Sequence, residues 1–535
     1  MGLLGVPWSA VCGWAAWRIW TEPPLLLEVG DHPIFLASLV EVLSIWLAGL
    51  VVGLTGLSPV PRRPKLAVAL GAGSLALVVA WAGGPAEPEV RRGGHRDLSP
   101  SERTTLLVGI DGMTWSAILP LVRRGELPTI ERLMAEGSYG VLHSLPSTRP
   151  STGQRGYWSP VVWTSIATGV GPAVHGIEDF NLPDPDGRTA LAASHHRTSP
   201  AFWNLFPRYG QRVGVVGWWG TWPAEEIDGV IASSSLGLRG PKRQGREPGT
   251  PPSVSPGEEL PRLVHPEVML DELMRFTPSS DETERLVHDR IFRLDRYPLD
   301  LGYKRDVIYA VAGQDRFYLE VARHLLQTRE LPLLAVYFEG PDVVSHHFWR
   351  FRSDPTGSLA PGYEFWLPDG FDEHTKAVDR YYRLVDEYLA LLIEELPETA
   401  TVVVCSDHGF REEPGHALSA THSGQGVLLA RGPGIERNNP LNLSLRGSLQ
   451  GLRHGRVDVL DLLPTLLYLH GLPIAETLEG EILTRLFTRE LVRERPVIRV
   501  DAYDARSPGA SDEREGGGEL DEEYQRRLRA LGYID

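Results

Sequence analysis

The chain has 535 residues, of which 42% are hydrophobic and 23% are charged, and this composition is ordinary for a folded protein. Its net charge of −16 argues against a nucleic-acid polymer as the main partner, because binding to phosphates requires clustered cations. The two cysteines, Cys12 and Cys405, are too few for a disulfide framework or a cysteine-ligated zinc site.

The first 84 residues predict a membrane anchor of two or three transmembrane helices. Segments 35–57 and 66–84 are almost continuously apolar and approach the roughly 20 residues that a helix needs to cross a bilayer. The tryptophan-rich segment 3–20 is a candidate third span. The basic loop 59–65 favours the cytoplasmic side, although arginines also follow the last span. We therefore expect attachment to the inner or plasma membrane, with the rest of the chain outside the cytoplasm.

After a linker at 85–101, strands alternate with helices through residue 495, and a charged tail follows at 496–535. Apolar, β-branched runs predict buried strands at 104–110, 211–218, 331–338, 401–405 and 426–430. Amphipathic segments predict helices at 128–137, 373–396 and 456–469. This alternation indicates an α/β domain at 102–495, in which helices sandwich a mostly parallel sheet. Ligands of such sheets bind beyond the carboxyl ends of the strands.

Acidic and histidine residues lie next to the predicted strand ends. They are Asp111, Asp342, His346, Asp407, His408 and His422. Taken singly, an acid at a strand end is usually a loop cap, and a lone histidine is usually a core or surface residue. Together they offer three carboxylates and three imidazoles at one sheet edge, a ligand set that zinc accepts. Manganese or iron would also accept these ligands.

A candidate nucleophile, Thr164, lies in the segment SPVVWTSIATG at 159–169, where we expect a short apolar strand to meet the start of a helix. A helix N-terminus favours an anion, and a threonine hydroxyl needs a metal or a base to become a nucleophile. The alternative is that Thr164 is an N-cap residue, which is the commonest role of threonine before a helix. Ser165 and Thr168 are nearby hydroxyls that spacing does not exclude.

Two further segments leave alternatives open. Residues 236–329 interrupt the alternation of strands and helices, and they form either a cap over the site or a surface insertion without a role. Three tryptophans at 218, 219 and 222 form either a stacking platform for a base or sugar, or part of the hydrophobic core.

Several motifs occur in an order that resembles a known family. They are Asp111 after a strand, WTSIATG at 163–169, HGI at 175–177, DVVSH at 342–346, SDHG at 406–409 and THSGQG at 421–426. The chain resembles the alkaline phosphatase superfamily, specifically its type I phosphodiesterase/nucleotide pyrophosphatase branch. The resemblance implies an alkaline phosphatase-like fold.

The resemblance also implies two zinc ions and assigns their ligands. One ion would be held by Asp342, His346 and His422. The other would be held by Asp111, Asp407 and His408, with Thr164 directed at it. In the segment HGIEDFN, Asn181 is the nearest candidate for a phosphate-binding asparagine of the family.

The implied activity is hydrolysis of a phosphodiester or phosphoanhydride bond, in a nucleotide or a lipid head group, through a phosphothreonine at Thr164. One alternative is a membrane-bound phosphotransferase, similar to phosphoethanolamine transferases, with the same threonine and zinc chemistry. Another is a non-catalytic, membrane-tethered binding protein. The chain has no C/S-x-P-x-R segment, and this argues against a formylglycine sulfatase.

Overall fold

The structure is a computed structural model that describes residues 88–92, 103–183, 189–237, 262–292, 303–349, 352, 376–412, 420–442 and 456–503. The predicted membrane anchor at 1–84 lies outside the described residues. Within the described ranges, no helix combines the length and the apolar character needed to cross a membrane.

The described residues contain short strands and one large sheet. The strands are β1 Val90–Arg92, β2 Thr105–Ile110, β3 Ser138–His143, β4 Ser147–Thr148, β5 Arg155–Gly156, β6 Asn181–Pro183, β7 Thr189–Leu191, β8 Val213–Val216, β9 Gly229–Ala232, β10 Val264–His265, β11 Leu333–Phe338, β12 Thr401–Cys405, β13 Gly409–Glu412, β14 Ala420–Ser423, β15 Gln425–Arg431, β16 Asn439–Pro440, β17 Ile474–Ala475 and β18 Val497–Val500.

Among the residues described, the large sheet has nine strands, in the order β10-β9-β8-β11-β2-β12-β15-β3-β16. The five adjacent strands β9, β8, β11, β2 and β12 run parallel to one another. In contrast, β10 is antiparallel to β9, and β15 is antiparallel to both β12 and β3. The sheet is therefore mixed, with a parallel centre. Every residue of β2, β11 and β12 is buried, as expected for apolar strands that are covered on both faces.

Helices pack against this sheet. The α-helices are α1 Trp115–Arg123, α2 Pro128–Glu136, α3 Ser159–Thr168, α4 Pro172–His175, α5 Phe202–Arg208, α6 Leu270–Met274, α7 Ser280–Arg285, α8 Tyr303–Thr328, α9 Gly340–Phe348, α10 Ala377–Glu394, α11 Leu462–Leu469 and α12 Arg489–Glu494. Helix α8 packs against β8 and β11, and α2 packs against β3 and β15. The predicted strands at 104–110, 211–218, 331–338, 401–405 and 426–430, and the predicted helices at 128–137 and 373–396, are confirmed.

The apolar run around Thr164 was expected to be a strand followed by a helix start, and that expectation is wrong. The run is helical throughout and forms α3, with Pro160 in its first turn and all ten residues buried. The helix ends at Gly169, whose φ of +66° suits a glycine C-cap. A helix that is buried on all sides has no polar face, so its sequence does not show the helical period.

Segments outside the predicted strand and helix pattern also contribute to the fold. Strand β1, in the predicted linker, pairs in parallel with β18, which lies in the predicted tail. The predicted insertion at 236–329 supplies β10 at the edge of the sheet and the long helix α8. The described part of this insertion is thus integrated into the sheet and its helical layer, while 238–261 and 293–302 lie outside the described residues.

Candidate active site

The site lies at the carboxyl ends of three adjacent strands. In the sheet β2 lies between β11 and β12, and all three strands are parallel. Asp111 directly follows β2, and Asp407 and His408 follow β12. Helix α9 begins two residues after β11 and carries Asp342 and His346 one turn apart. The parallel centre of the sheet therefore brings the loops after these strands to one edge, as the sequence predicted.

Asp111, Asp407 and His408 form the first group of candidate ligands. The Nε2 atom of His408 lies 3.3 Å from Oδ1 of Asp111 and 3.4 Å from Oδ2 of Asp407. One ligand atom from each of the three residues lies within 4.8 Å of the others, a spacing that could hold a metal ion. All three side chains are buried.

Asp342, His346 and His422 form the second group. His422 comes from β14, where it pairs with Phe410 of the adjacent strand β13. Its Nε2 atom lies 3.4 Å from Oδ1 of Asp342 and 2.8 Å from Nε2 of His346. The same Asp342 oxygen lies 3.5 Å from His346 and 3.7 Å from His408, so the two groups adjoin. The structure thus brings together all six side chains that the sequence singled out.

The backbone orients two of the imidazoles. The Nδ1 atom of His422 lies 2.8 Å from the carbonyl oxygen of Tyr157, and Nδ1 of His408 lies 3.3 Å from that of Gly409. Because a carbonyl only accepts hydrogen bonds, both Nδ1 atoms must be the protonated donors. When the two rings are neutral, their Nε2 atoms carry lone pairs that face the carboxylates, the arrangement found in histidines that bind metals.

The second oxygen of Asp111 is held by two aromatic residues that the sequence did not single out. The Nε1–H of Trp163 donates to Oδ2 at 3.0 Å, and the hydroxyl of Tyr337 donates to the same oxygen at 2.5 Å. The Trp219 indole in turn donates to the Tyr337 hydroxyl at 2.9 Å. These bonds turn Oδ1 of Asp111 toward His408.

Burial and neighbouring charges shift the ionisation of the carboxylates in opposite directions. Burial would raise the pKa of Asp342, but the adjacent His346 and His422 hold that pKa well below its ordinary value. Burial and the nearby Asp111 carboxylate raise the pKa of Asp407 well above its ordinary value. Carboxylates this close to each other repel, and a bound cation would relieve the repulsion.

The donor set fits a metal ion. Oδ1 of Asp111, Oδ2 of Asp407 and Nε2 of His408 are buried, and none of them has a hydrogen-bond partner within the described ranges. Buried polar atoms almost always find a partner, so three unpartnered atoms that face one another call for a common ligand. Oxygen and nitrogen donors without thiolates suit zinc, and manganese and iron also accept them.

Thr164 lies in the middle of α3, and its hydroxyl donates to the carbonyl of Pro160 at 2.6 Å. It is therefore not an N-cap residue. A Cβ added to Gly220 would lie 3.4 Å from Oγ1 of Thr164, so the Thr164 hydroxyl faces the loop after β8. Ser165 and Thr168, the alternative hydroxyls, donate to the carbonyls of Val161 and Thr164, respectively.

Ser159, the first residue of α3, is a hydroxyl that the sequence analysis missed. It is 1% exposed, and its Oγ lacks a hydrogen-bond partner among the residues that the structure describes. It precedes Trp163 by four residues, so both lie on the face of α3 that turns toward Asp111. Two residues before it, Tyr157 accepts from His422. The signal in the sequence was Pro160, since proline marks the first turn of a helix.

Asn181 and the three tryptophans, which the sequence analysis also singled out, follow α3 in the chain. Asn181 begins β6, and its side-chain oxygen is buried with no hydrogen-bond partner in the described part of the chain. Trp218, Trp219 and Trp222 are all buried, at 0%, 6% and 8% exposure. Trp218 packs edge-on against Trp163, with ring centroids 4.9 Å apart. The three tryptophans therefore belong to the core and are not an open stacking platform.

Comparison with known proteins gives one family and several structures. The sequence profile of the type I phosphodiesterase / nucleotide pyrophosphatase family matches residues 105–425, which include every predicted site residue. Comparison with curated proteins gives no match.

Similar solved structures share little sequence with the chain. Phosphonoacetate hydrolase from Sinorhizobium meliloti, in complex with phosphonoformate, is 19% identical, over 61% of this chain and 60% of that chain, with a TM-score of 0.35. Human ectonucleotide pyrophosphatase/phosphodiesterase 5 is 14% identical, over 72% of this chain and 100% of that chain, with a TM-score of 0.39. Its murine counterpart, in an inactive form in complex with AMP, is 13% identical with the same coverage and TM-score.

Proposed function

Because the chain belongs to the type I phosphodiesterase / nucleotide pyrophosphatase family, we propose that it is a metal-dependent hydrolase of phosphodiester or phosphoanhydride bonds. The substrate class is a nucleotide or a lipid head group. The observation that carries the proposal is the buried cluster in which atoms of Asp111, Asp407 and His408 face one another without hydrogen-bond partners within the described ranges. A cluster of this kind suits a cation that binds and polarises a phosphate group.

Two Zn²⁺ ions are the proposed cofactors. Asp111, Asp407 and His408 would hold one ion, and a second group of three residues would hold the other. That second group consists of Asp342, His346 and His422. When bound, a pair of such ions stabilises the negative charge on the attacking and leaving oxygens of an in-line displacement.

The residues of the chain prepare this displacement in two ways. Trp163 and Tyr337 fix the orientation of Asp111, and the Tyr157 carbonyl fixes that of His422. The positive end of the dipole of α3 lies at Ser159, and it favours the negative charge of a phosphate group.

The proposed nucleophile is Ser159, in place of the Thr164 suggested by the sequence. Two observations support Ser159: its buried Oγ has no partner in the described residues, and it shares a helix face with Trp163, which contacts Asp111. Oγ bonds to phosphorus as the bond to the leaving oxygen breaks, and the proton lost by Oγ passes through solvent to the leaving oxygen. Water then displaces Oγ from phosphorus and restores the hydroxyl. Two in-line displacements give net retention at phosphorus.

Two substitutions in α3 separate the candidates. We expect Ser159→Ala to lower kcat/KM for a chromogenic phosphodiester at least about 1,000-fold, as the loss of a nucleophile does in other hydrolases. Thr164→Val should stay within about tenfold of wild type, because it removes only a bond to a backbone carbonyl. Thr168→Val is the matched control, since its hydroxyl makes the same kind of bond.

A severe loss in Thr164→Val, with Ser159→Ala near wild type, would return the nucleophile to Thr164 and make the intermediate a phosphothreonine. Mass spectrometry of the trapped phosphoenzyme identifies the modified residue directly. Activity that survives complete removal of metal by a chelator would refute the metal-dependent mechanism itself.

The proposed location of the enzyme is a membrane, with the catalytic domain outside the cytoplasm. Support comes from the apolar segments 35–57 and 66–84 and from the basic loop at 59–65 between them.

A further inference from the structure

A buried carboxylate from another helix caps the start of α9. Asp315 of α8 is fully buried, and its two oxygens accept the backbone N–H groups of Glu339 and Gly340, each at 3.0 Å. The hydroxyl of Tyr381, on α10, donates to the same carboxylate at 2.9 Å. Glu339 is the N-cap residue of α9 and makes no side-chain cap of its own. Asp315 therefore supplies from a distance the acceptor that a helix start needs.

The contacts around this cap leave the first turn of α9 little freedom. A Cβ added to Gly340 would overlap the ring of Tyr381, so the ring lies directly against the helix backbone. The Gln314 amide donates to the Glu339 carboxylate at 2.9 Å. Burial raises the pKa of Asp315 to about 7, while the two backbone N–H groups oppose that rise. A local serine or asparagine at the N-cap position would accept the N–H of the second or third helical residue, and so would not replace the acceptor that Asp315 gives to Glu339 and Gly340.

The helix that receives this cap carries two of the candidate metal ligands. Asp342 is only two residues beyond Gly340, and His346 lies one turn further along. A shift of the first turn would move both side chains relative to His422, which is attached to a different element, β14. In contrast, Asp111 and Asp407 follow strands of the sheet and are not attached to α9.

We propose that Asp315 is a positioning residue, which fixes the first turn of α9 and thereby sets the affinity of the group formed by Asp342, His346 and His422 for its metal ion. This inference rests on the proposed function, because it takes that group to be a metal site. Loss of the Asp315 cap should weaken metal binding at this group only. A loss of overall stability would instead weaken metal binding at both groups.

The chain contains a matched control for this arrangement. Asp386 of α10 is also buried, and its oxygens accept the N–H groups of Thr129 and Ile130 at 3.1 and 2.8 Å. It caps the start of α2, a helix that carries none of the candidate ligands. Asp315→Asn and Asp386→Asn are thus the same chemical change in the same kind of cap. In each variant, the new amide NH₂ group opposes one of the backbone N–H groups.

The test is a titration of the metal-free full chain with Zn²⁺ in competition with a chromophoric chelator. Wild type should bind two ions. In Asp315→Asn, we expect one binding step to weaken about 10- to 100-fold, the range typical of lost contacts to ligand-bearing groups. The other step should stay unchanged, and Asp386→Asn should alter neither. Both variants should lower the melting temperature of the metal-free chain, so stability alone does not distinguish them.

Three results would overturn the inference: unchanged Zn²⁺ binding in Asp315→Asn, equal weakening of both steps, or the same weakening in Asp386→Asn. A wild-type chain that binds no Zn²⁺ would overturn the zinc assignment as well, and so the two failures are distinguishable. Should Asp315→Asn fail to fold, Tyr381→Phe keeps both N–H bonds and removes only the hydroxyl. It should weaken the same single step several-fold, and wild-type binding in that variant would count against the proposal.

Discussion

Replacing Asp407 with asparagine should stabilise the metal-free protein and destabilise the zinc-loaded one. In the absence of metal, the Asp407 carboxylate is buried close to the Asp111 carboxylate, and burial together with that neighbour raises its pKa well above the ordinary value. Asparagine has nearly the same shape and keeps an oxygen that can accept the Gly112 N–H, which now bonds Asp407 at 3.3 Å. The substitution therefore removes charge with little change in packing.

The size of the effect follows from the spacing of the charges. The facing ligand atoms of Asp111 and Asp407 lie within 4.8 Å of each other. Two unit charges at that separation repel by about 3 kcal/mol at an effective dielectric constant of about 20. Proton uptake relieves part of this repulsion, so we expect Asp407→Asn to raise the free energy of unfolding by about 1–3 kcal/mol at pH 8.

The pH dependence gives the sign of the effect. The pKa of Asp407 is higher in the folded than in the unfolded chain, so the folded metal-free protein holds the extra proton. The contribution of Asp407 to the free energy of unfolding of the wild-type protein is therefore fully present at low pH. It is lost as the pH rises above about 4, the ordinary pKa of aspartate. The advantage of Asp407→Asn should grow with pH and vanish near pH 4.

Urea denaturation with and without Zn²⁺ measures both effects, with Asp386→Asn as the control. Asp386 accepts two backbone N–H groups, so its replacement should destabilise the chain equally in both states. With Zn²⁺ bound, Asp407→Asn should fall below wild type because a ligand is lost. A metal-free Asp407→Asn variant less stable than wild type at pH 8 would refute the argument.

Two further predictions concern the orientation of Asp111 and the location of the enzyme. Tyr337→Phe removes a donor to Asp111 and should lower Zn²⁺ affinity about tenfold in a chelator competition assay. Tyr388→Phe is the control and should leave the affinity unchanged, because the buried Tyr388 hydroxyl has no hydrogen-bond partner in the described ranges. Equal Zn²⁺ affinity in both variants would contradict the role given to Tyr337. The full chain should remain in the membrane pellet after alkaline extraction, whereas a chain that begins at residue 85 should not; release of the full chain would contradict the anchor at 1–84.

The centre of the sheet and the set of candidate ligands were predictable because both leave local signals. Strands that are buried on both faces have short, continuous apolar sequences, such as TLLVGI in β2. The polar residues that end these runs, such as Asp111 and Asp407, therefore stand out against apolar neighbours. Since parallel strands end at one edge, those residues could be expected to meet there.

Other parts of the site depend on contacts that no local pattern encodes. Helix α3 was mistaken in part for a strand because all its residues are buried, and so the sequence did not single out Ser159 at the start of that helix. Tyr337 and Asp111 are 226 positions apart in the chain, and they meet only because β11, which contains Tyr337, pairs with β2, which Asp111 directly follows. In the sequence, Asp315 looks like an ordinary polar residue of an amphipathic helix. It can cap α9 only because α8 packs beside that helix.

The pairing of β1 with β18 determines how the folded domain would respond to tension. Both strands run in the same direction, so the chain enters β1 at one end of the pair and leaves β18 at the other. A pull on the chain before Val90 and after Val500 would therefore act along the strands and load their hydrogen bonds together. Strands pulled apart from a shared end would instead lose these bonds one at a time. The pairing of β1 and β18 is thus arranged to resist force in shear. The hydrogen bonds of this pair would share the load before it reaches the large sheet that carries the site.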